Sequence, residues 1–428
     1  MESYIMNLLK EVLKNQVYPA MGCTEPVSVA LCAAYAAKEL GKPVQKAVFY
    51  LDAGTFKNGL AVRIPNTSGE RGNLLAGTAG LLIAKPQLKM EILKAATPSI
   101  LKRAKQLIDD KKAFIKVAPC KKHFYIKVEV ENGKDKASCV ISDSHTTVSK
   151  LTKNGKVIFE NKPSKKKEDN YKQLLGKATL KDLIALADNA DNTDLKYIKK
   201  GVEMNLNACK EGKKLKKVGF FLESTVEKSI LQKNLVTETK IMAARVADAR
   251  MDGIAVPVMS SGESGNQGVV AILVPYNVGK KSKVKEEKIL KSIAFSHLLN
   301  GYVKVYTGSL SPLCGCAIAA GVGAAGAIVY QQNGDLKKIT LAINNIISDI
   351  GGMLCDGAKS GCALKVVSSV DSAIRAAYMG LNNYGITELE GFIGKTAEET
   401  IQNLGNISIT GMCDVDAVIV DIMKKKVK

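Results

Sequence analysis

The chain of 428 residues contains no tryptophan and three histidines, and aromatic side chains make up 5% of it. So few rings leave no stacking platform for exposed bases among the basic runs. Lysine plus arginine exceed aspartate plus glutamate by 62 to 41, a formal charge of +21, yet only six of the 62 are arginine. Arginine's planar fork is what reads phosphates and base edges, so its scarcity argues against nucleic acid as partner. The lysines fall in short scattered runs, at 165–167, 213–217, 280–291 and after Met423, as solvated surface does. Their general field attracts small anionic metabolites. Residues 305–334 carry no charge, but 313–330 are mostly Gly, Ala and Cys, which suits close packing inside a protein better than contact with acyl chains, so no membrane span is expected. Residues 1–17 have charges every few positions and lack the apolar core of a signal peptide, so a cytoplasmic location is expected.

With 46% hydrophobic residues and a mean hydropathy near zero, the chain has material for two domains with cores. A helix over 2–17 is broken at Pro19, and a second begins at Thr24-Glu25-Pro26 and runs to Leu40, placing Cys23 at its N-terminus. Residues 48–51 and 60–64 read as strands flanking a polar loop, 52–59. Alternating patterns between 113 and 160, with turns at Asn132-Gly133 and Asn154-Gly155, predict an antiparallel sheet. The lysine-rich stretch 161–171, with Pro163, reads as a linker, and helices follow. A strand at 254–259 leads into 260–268, and beyond Glu286 the pattern is almost wholly helical to about 380. The expected fold is α+β: a mainly helical catalytic domain (1–40 and 169–428) with an inserted smaller α/β domain (41–168) containing the sheet.

In a reducing cytosol ten cysteines are thiols rather than disulfides. Four crowd into two segments, Cys314-Gly315-Cys316 and Cys355 to Cys362. Positions seven apart on a continuous helix lie about 10 Å apart, too far for one small cluster, but Gly357 and Gly361 permit a loop that folds back. Paired Cys-x-x-Cys knuckles are missing and no histidine is near in sequence, which disfavours zinc. Three thiolates from two loops suit an iron-sulfur cluster, with packed structural thiols as the alternative. Cys23 has the helix N-terminus that stabilises a thiolate, or is an inert small residue there. Cys32, Cys120, Cys139 and Cys209 read as packing, and Cys413 is unassigned.

The loop 260–268, with Ser261, Ser264, Gly265 and Asn266, is a candidate cradle for a carboxylate, or a plain turn; it lacks the lysine of a phosphate loop. Gly321 to Gly326 fits G-x-G-x-x-G, but an alanine-rich helix precedes it where dinucleotide binding requires a strand, so it reads as helix packing. His145, at the end of a predicted strand, is a candidate substrate contact, whereas His123 and His297 read as structural. Lys57 and Asn58 are candidates to hold a carboxylate or amine.

Together, Met21-Gly22-Cys23-Thr24-Glu25-Pro26, Lys57-Asn58-Gly59, the 260–268 loop, Leu313-Cys314-Gly315-Cys316 and Gly352 to Lys365 resemble the L-cysteine desulfidases, which are more distantly similar to iron-sulfur L-serine dehydratases. The likeness spans nearly the whole chain, and the Cys355–Cys362 motif is its most specific part. The resemblance implies a 4Fe-4S cluster, no pyridoxal phosphate, and conversion of L-cysteine and water to pyruvate, ammonia and sulfide. Carried over by motif, Cys355 and Cys362 are ligands with Cys314 as the third, Cys316 being the alternative two residues on. Cys23 matches a cysteine that is either a displaceable fourth ligand or the catalytic base. On that reading an open iron takes the substrate sulfur, the 260–268 loop with Lys57 or Asn58 anchors the carboxylate, and Cys23 removes the Cα proton. A serine dehydratase and a non-catalytic iron-sulfur sensor are the rival readings. A homodimer is the default assembly.

Overall fold

Strands and helices alternate at first and separate later, so sheet and bundle occupy different parts of the chain. The computed structural model describes residues 8–67, 69–118, 124–142, 144–161, 168–308 and 310–426. Cys120, His123, the lysine run 165–167 and most of the expected linker lie outside the described residues. The strands are β1 (Pro19–Met21), β2 (Lys46–Leu51), β3 (Ala113–Val117), β4 (Tyr125–Asn132), β5 (Asp135–Ser142), β6 (Val148–Lys153), β7 (Lys156–Glu160) and β8 (Pro257–Met259). Six of them form one sheet in the order β3-β2-β4-β5-β6-β7, antiparallel throughout except for the parallel pair β2–β3. β1 and β8 pair separately and tie the N-terminal turn to the start of the 260–268 segment. The fold is α+β, as the two periodicities in the sequence indicate.

Residues 52–59 are not a polar loop: Asp52 caps a short helix, Ala53–Gly59, by accepting from the Thr55 amide at 2.9 Å. The expected strand at 60–64 reduces to a single bridge between Arg63 and Arg71. Helix Thr24–Leu40 lays Val29, Cys32, Ala33, Ala36 and Leu40 on the sheet, against Phe49, Ile126, Val128, Cys139 and Ile141. By packing it therefore sits with the strands, although the sequence reading grouped it with the bundle. Its alanines let helix Asn73–Ile83 approach so closely that a Cβ at Gly80 would overlap the Ala30 carbonyl.

The second core is the helical bundle around Gly265–Lys281, Glu286–Thr307 and Ala319–Gln331. These helices are buried on nearly every side, so their sequence shows no amphipathic period. Residues 321–326 lie within Ala319–Gln331, where a Cβ at Gly323 would meet the Ser296 carbonyl oxygen at 2.6 Å, which is the helix packing expected of them. Among the described residues no helix is long and apolar enough to cross a membrane. The final helix, Val415–Lys426, returns to the first part of the chain beside Ala53–Gly59 and buries Val420 in the sheet core.

Candidate active site

The two cysteine segments, some 40 residues apart in sequence, are laced together by main-chain bonds. The Cys314 amide donates to Met353 O at 2.8 Å, the Cys355 amide to Pro312 O at 2.6 Å, and Leu313 bridges Leu354. After Cys355 the chain folds back through Gly357, at φ +93°, where a Cβ would overlap the Lys57 carbonyl, so glycine is required. Cys362 then opens helix Cys362–Leu381 and accepts from the Lys359 amide at 3.5 Å. Cys314, Cys316, Cys355 and Cys362 line one cavity of about 110 Å³, and Cys23 faces them from the N-cap of helix Thr24–Leu40.

Among the described residues no three His, Cys, Asp or Glu side chains converge as a single metal ion requires. A lone tetrahedral ion needs its thiolates within about 3.8 Å of one another. Thiols spread around a wider space, with no histidine among them, suit a larger iron-sulfur group instead. Within the pair, the Cys316 thiol donates to Cys314 and, with Lys365 and the amides of residues 316 and 317, holds Cys314 below the usual thiol range despite burial; Cys316 is pushed up correspondingly. Cys314 is thus the readier thiolate.

Three polar groups that sequence reasoning missed line the cavity, and two of them, Glu25 and Arg250, flank Cys23. Glu25 is buried and accepts from Cys23 Sγ at 2.8 Å, Thr24 Oγ1 at 3.2 Å and Asn58 Nδ2 at 2.9 Å. Burial opposes its charge, but neighbouring His145 and the bonds from Cys23 and Asn58 hold it below the ordinary carboxylate value. Burial and the Glu25 charge push the Cys23 thiol well up. Arg250, 3% exposed at the end of helix Leu235–Met251, donates to Asn266 Oδ1 at 2.6 Å and to Gly22 O at 2.5 Å. Burial lowers its pKa while Cys23, Cys316 and Glu25 favour its charge. Lys304, also at the cavity wall, is pushed down to about 8 by burial. In sequence Glu25 passes for a favourable charge in a helix first turn and Arg250 for one in a last turn; only the folded chain gives them other duties.

Residues 260–268 hold less loop than expected, because helix Gly265–Lys281 begins inside the segment with Ser264 as its N-cap. The Ser264 hydroxyl does not cap, and the first-turn amides, which have no partner within the helix, are oriented as an anion site requires. Asn266 Oδ1 is taken by Arg250, and Ser264, Gly265 and Asn266 all line the cavity. Ser261 does not: it is fully buried, accepting from Asn300 and bonded to His297 Nδ1, both at 2.8 Å, so it supports the loop from behind and is not a substrate contact. His297 is structural, as expected, and burial pulls it down to about 3.

Asn58 and His145 lie at the wall, with Asn58 Oδ1 and His145 Nε2 buried and without a hydrogen-bond partner. Lys57 also reaches the wall, but its ammonium is committed to Asp416 Oδ1 at 2.6 Å and Cys355 O at 2.8 Å. It pins the cysteine loop to the last helix rather than waiting for a carboxylate. Cys32 and Cys139 pack between helix and sheet, Cys32 donating to Cys139 O at 3.3 Å, and Cys209 is half-buried. Cys413 is exposed.

The family model described as serine dehydratase alpha chain matches residues 87–421. A UPF0597 protein of Geobacter sulfurreducens is 51% identical, over 98% of this chain and 99% of that protein. UPF0597 proteins of Clostridium tetani and Caldanaerobacter subterraneus are 40% and 37% identical, over 97% and 98% of this chain and 98% of each relative.

Proposed function

Since this chain belongs to the serine dehydratase alpha chain family, we propose that it is an iron-sulfur lyase converting L-cysteine and water to pyruvate, ammonia and hydrogen sulfide. The observation that carries this reading is the meeting of Cys314, Cys355, Cys362 and Cys23 at one cavity that also presents Asn266 and the start of a helix. Cys314, Cys355 and Cys362 would hold a 4Fe-4S cluster. When bound, it supplies a Lewis-acidic iron toward the sulfur leaving group.

The protein's own groups account for the rest. Asn266 Nδ2, the first-turn amides of Gly265–Lys281 and Ser264 bind the α-carboxylate. Asn58 Oδ1 is the acceptor left for the α-ammonium. The resting site holds the proton on Cys23 rather than on the ionised Glu25. Glu25 Oε2, already hydrogen-bonded to Cys23 Sγ, therefore serves as a relay that hands this proton on to the departing sulfur, and the thiolate so formed takes the Cα proton. The Cα–H pair becomes the new double bond as the Cβ–S bond breaks, releasing sulfide and aminoacrylate. The latter tautomerises to an imine and hydrolyses to pyruvate and ammonia without further help. The reading extends to a cytoplasmic homodimer with no nucleic-acid or membrane partner.

The second reading is L-serine dehydration by the same residues, favoured by the family match. Anaerobic reconstitution followed by steady-state assays with both amino acids separates them. Sulfide with equimolar pyruvate from cysteine, at higher kcat/KM than for serine, is expected. Greater efficiency with serine transfers the assignment, and no pyruvate from either sinks both. Cluster spectra with and without cysteine, repeated on Cys23→Ala, assign that residue: an altered resting cluster makes it a ligand, while an intact cluster with turnover lost makes it the base.

A further inference from the structure

We propose that Arg250 is the positioning residue of the site, setting the Asn266 carboxamide so that its NH₂ group meets the substrate carboxylate; this rests on the lyase reading above. A carboxamide has one accepting and one donating end, and only the donating end attracts a carboxylate. Arg250 Nη1 donates to Asn266 Oδ1 at 2.6 Å, which leaves the donor Nδ2, with no acceptor among the described residues, for the cavity that Asn266 lines. The first-turn amides of the same helix add donors beside it. Without the guanidinium the carboxamide is free to turn over and present its oxygen to the anion.

Arg250 also borders the cavity, but both of its Nη atoms are committed to protein acceptors. A Cβ at Gly265 would overlap its Cζ and Nε, so the guanidinium lies flat beneath that residue, with Nε shut in and unpartnered. Its other arm, Nη2, donates to Gly22 O at 2.5 Å, next to Cys23. One rigid fork therefore joins the carboxylate-binding turn to the segment bearing the proposed base, parts of the chain 244 residues apart between Gly22 and Asn266. Lysine, a point charge on a flexible stem, cannot hold both acceptors in a fixed plane. The glycine at 265 is explained by the same contact.

The experiment uses the anaerobically reconstituted holoenzyme and its variants Arg250→Lys, Asn266→Ala, the double variant, and Asn266→Asp. Arg250→Lys is expected to raise KM for the amino acid at least tenfold while iron content and cluster spectrum stay as in wild type. In the double variant KM should match that of Asn266→Ala alone, since Arg250 acts through Asn266. Asn266→Asp keeps an oxygen for Arg250 and adds an ion pair, so its melting temperature should hold or rise while KM rises at least tenfold. A purely structural Arg250 predicts the same melting temperature with an unchanged KM, and this variant remains informative if Arg250→Lys fails to fold. Cysteamine, which lacks the carboxylate, should bind wild type and Arg250→Lys equally. Multiplicative effects in the double variant, or an unchanged KM in Asn266→Asp, overturn the proposal. If wild type makes no pyruvate, calorimetric binding of L-cysteine reads the same variants: Arg250-dependent binding then sinks the lyase reading alone, and no binding by wild type sinks both.

Discussion

At the scale of single residues, the choice between Cys314 and Cys316 has a clear expectation. Cys314 is the thiol that its neighbours ready for ionisation, so Cys314→Ser should lose most of the iron bound after anaerobic reconstitution, while Cys316→Ser keeps it. Iron and acid-labile sulfide per chain are the measurements, and the reverse pattern would give the ligand to Cys316. Asp248, two residues before Arg250 on helix Leu235–Met251, is a second case. Burial pushes its carboxyl up to about 6, although it accepts from the Gly219 amide at 2.8 Å. The folded chain therefore holds this proton more tightly than the unfolded chain, whose value is near the ordinary 3.8. The resulting stability is complete below that ordinary value and is lost as pH rises through about 6. Asp248→Asn should thus gain on wild type between pH 5 and pH 8, by about 1 kcal/mol after screening, in urea titrations at the two values. A difference independent of pH would contradict the assignment. Much of the site was legible at this scale: soft ligands announce themselves by type and crowding, and Gly357 by the fold-back that a seven-residue spacing needs. Glu25 and Arg250 were hidden because their roles depend on partners that only tertiary folding supplies, Asn58 and Gly22 among them.

Among the elements, legibility followed exposure. β4 shows strict alternation because one face meets helix Thr24–Leu40 and the other meets water. The start of helix Gly265–Lys281 reads in sequence as part of a loop, because burial on all sides erases its period and because it holds valines at 269, 270 and 274 and Pro275. The helix pair Thr24–Leu40 and Asn73–Ile83 gives a test of packing: Gly80→Ala places a methyl on the Ala30 carbonyl and should cost about 3 kcal/mol in urea unfolding. Gly133→Ala, in a turn at φ +56° with open space around it, should cost only about 1 kcal/mol, from backbone strain. Equal costs would mean that the helices yield at little expense. β7 shows how an edge is blunted: Val157, Ile158 and Phe159 are half-exposed, but its pairing with β6 shifts register there and Lys156 and Glu160 close its ends.

For the whole molecule, the +21 charge is the dominant electrostatic fact. Pairs such as Lys10 with Asp194 and Lys240 with Asp371 engage some of the lysines, but the excess of 21 is what remains after every carboxylate is counted, and it repels itself. Raising salt from about 10 mM to 200 mM should therefore raise the melting temperature, because screening relieves net repulsion more than it weakens exposed pairs. A fall would show that the pairs outweigh the excess. The Lys57 tether bears on another property, the order of events during synthesis. Lys57 is made early, the Cys355 carbonyl it holds some three hundred residues later, and Asp416 almost last. The first sixty residues meet most of their partners early, since helix Thr24–Leu40 and β2 pack on helix Asn73–Ile83 and on β3 to β5. The Lys57 contacts with the cysteine loop and the last described helix therefore form late, onto a sheet whose strands are already present.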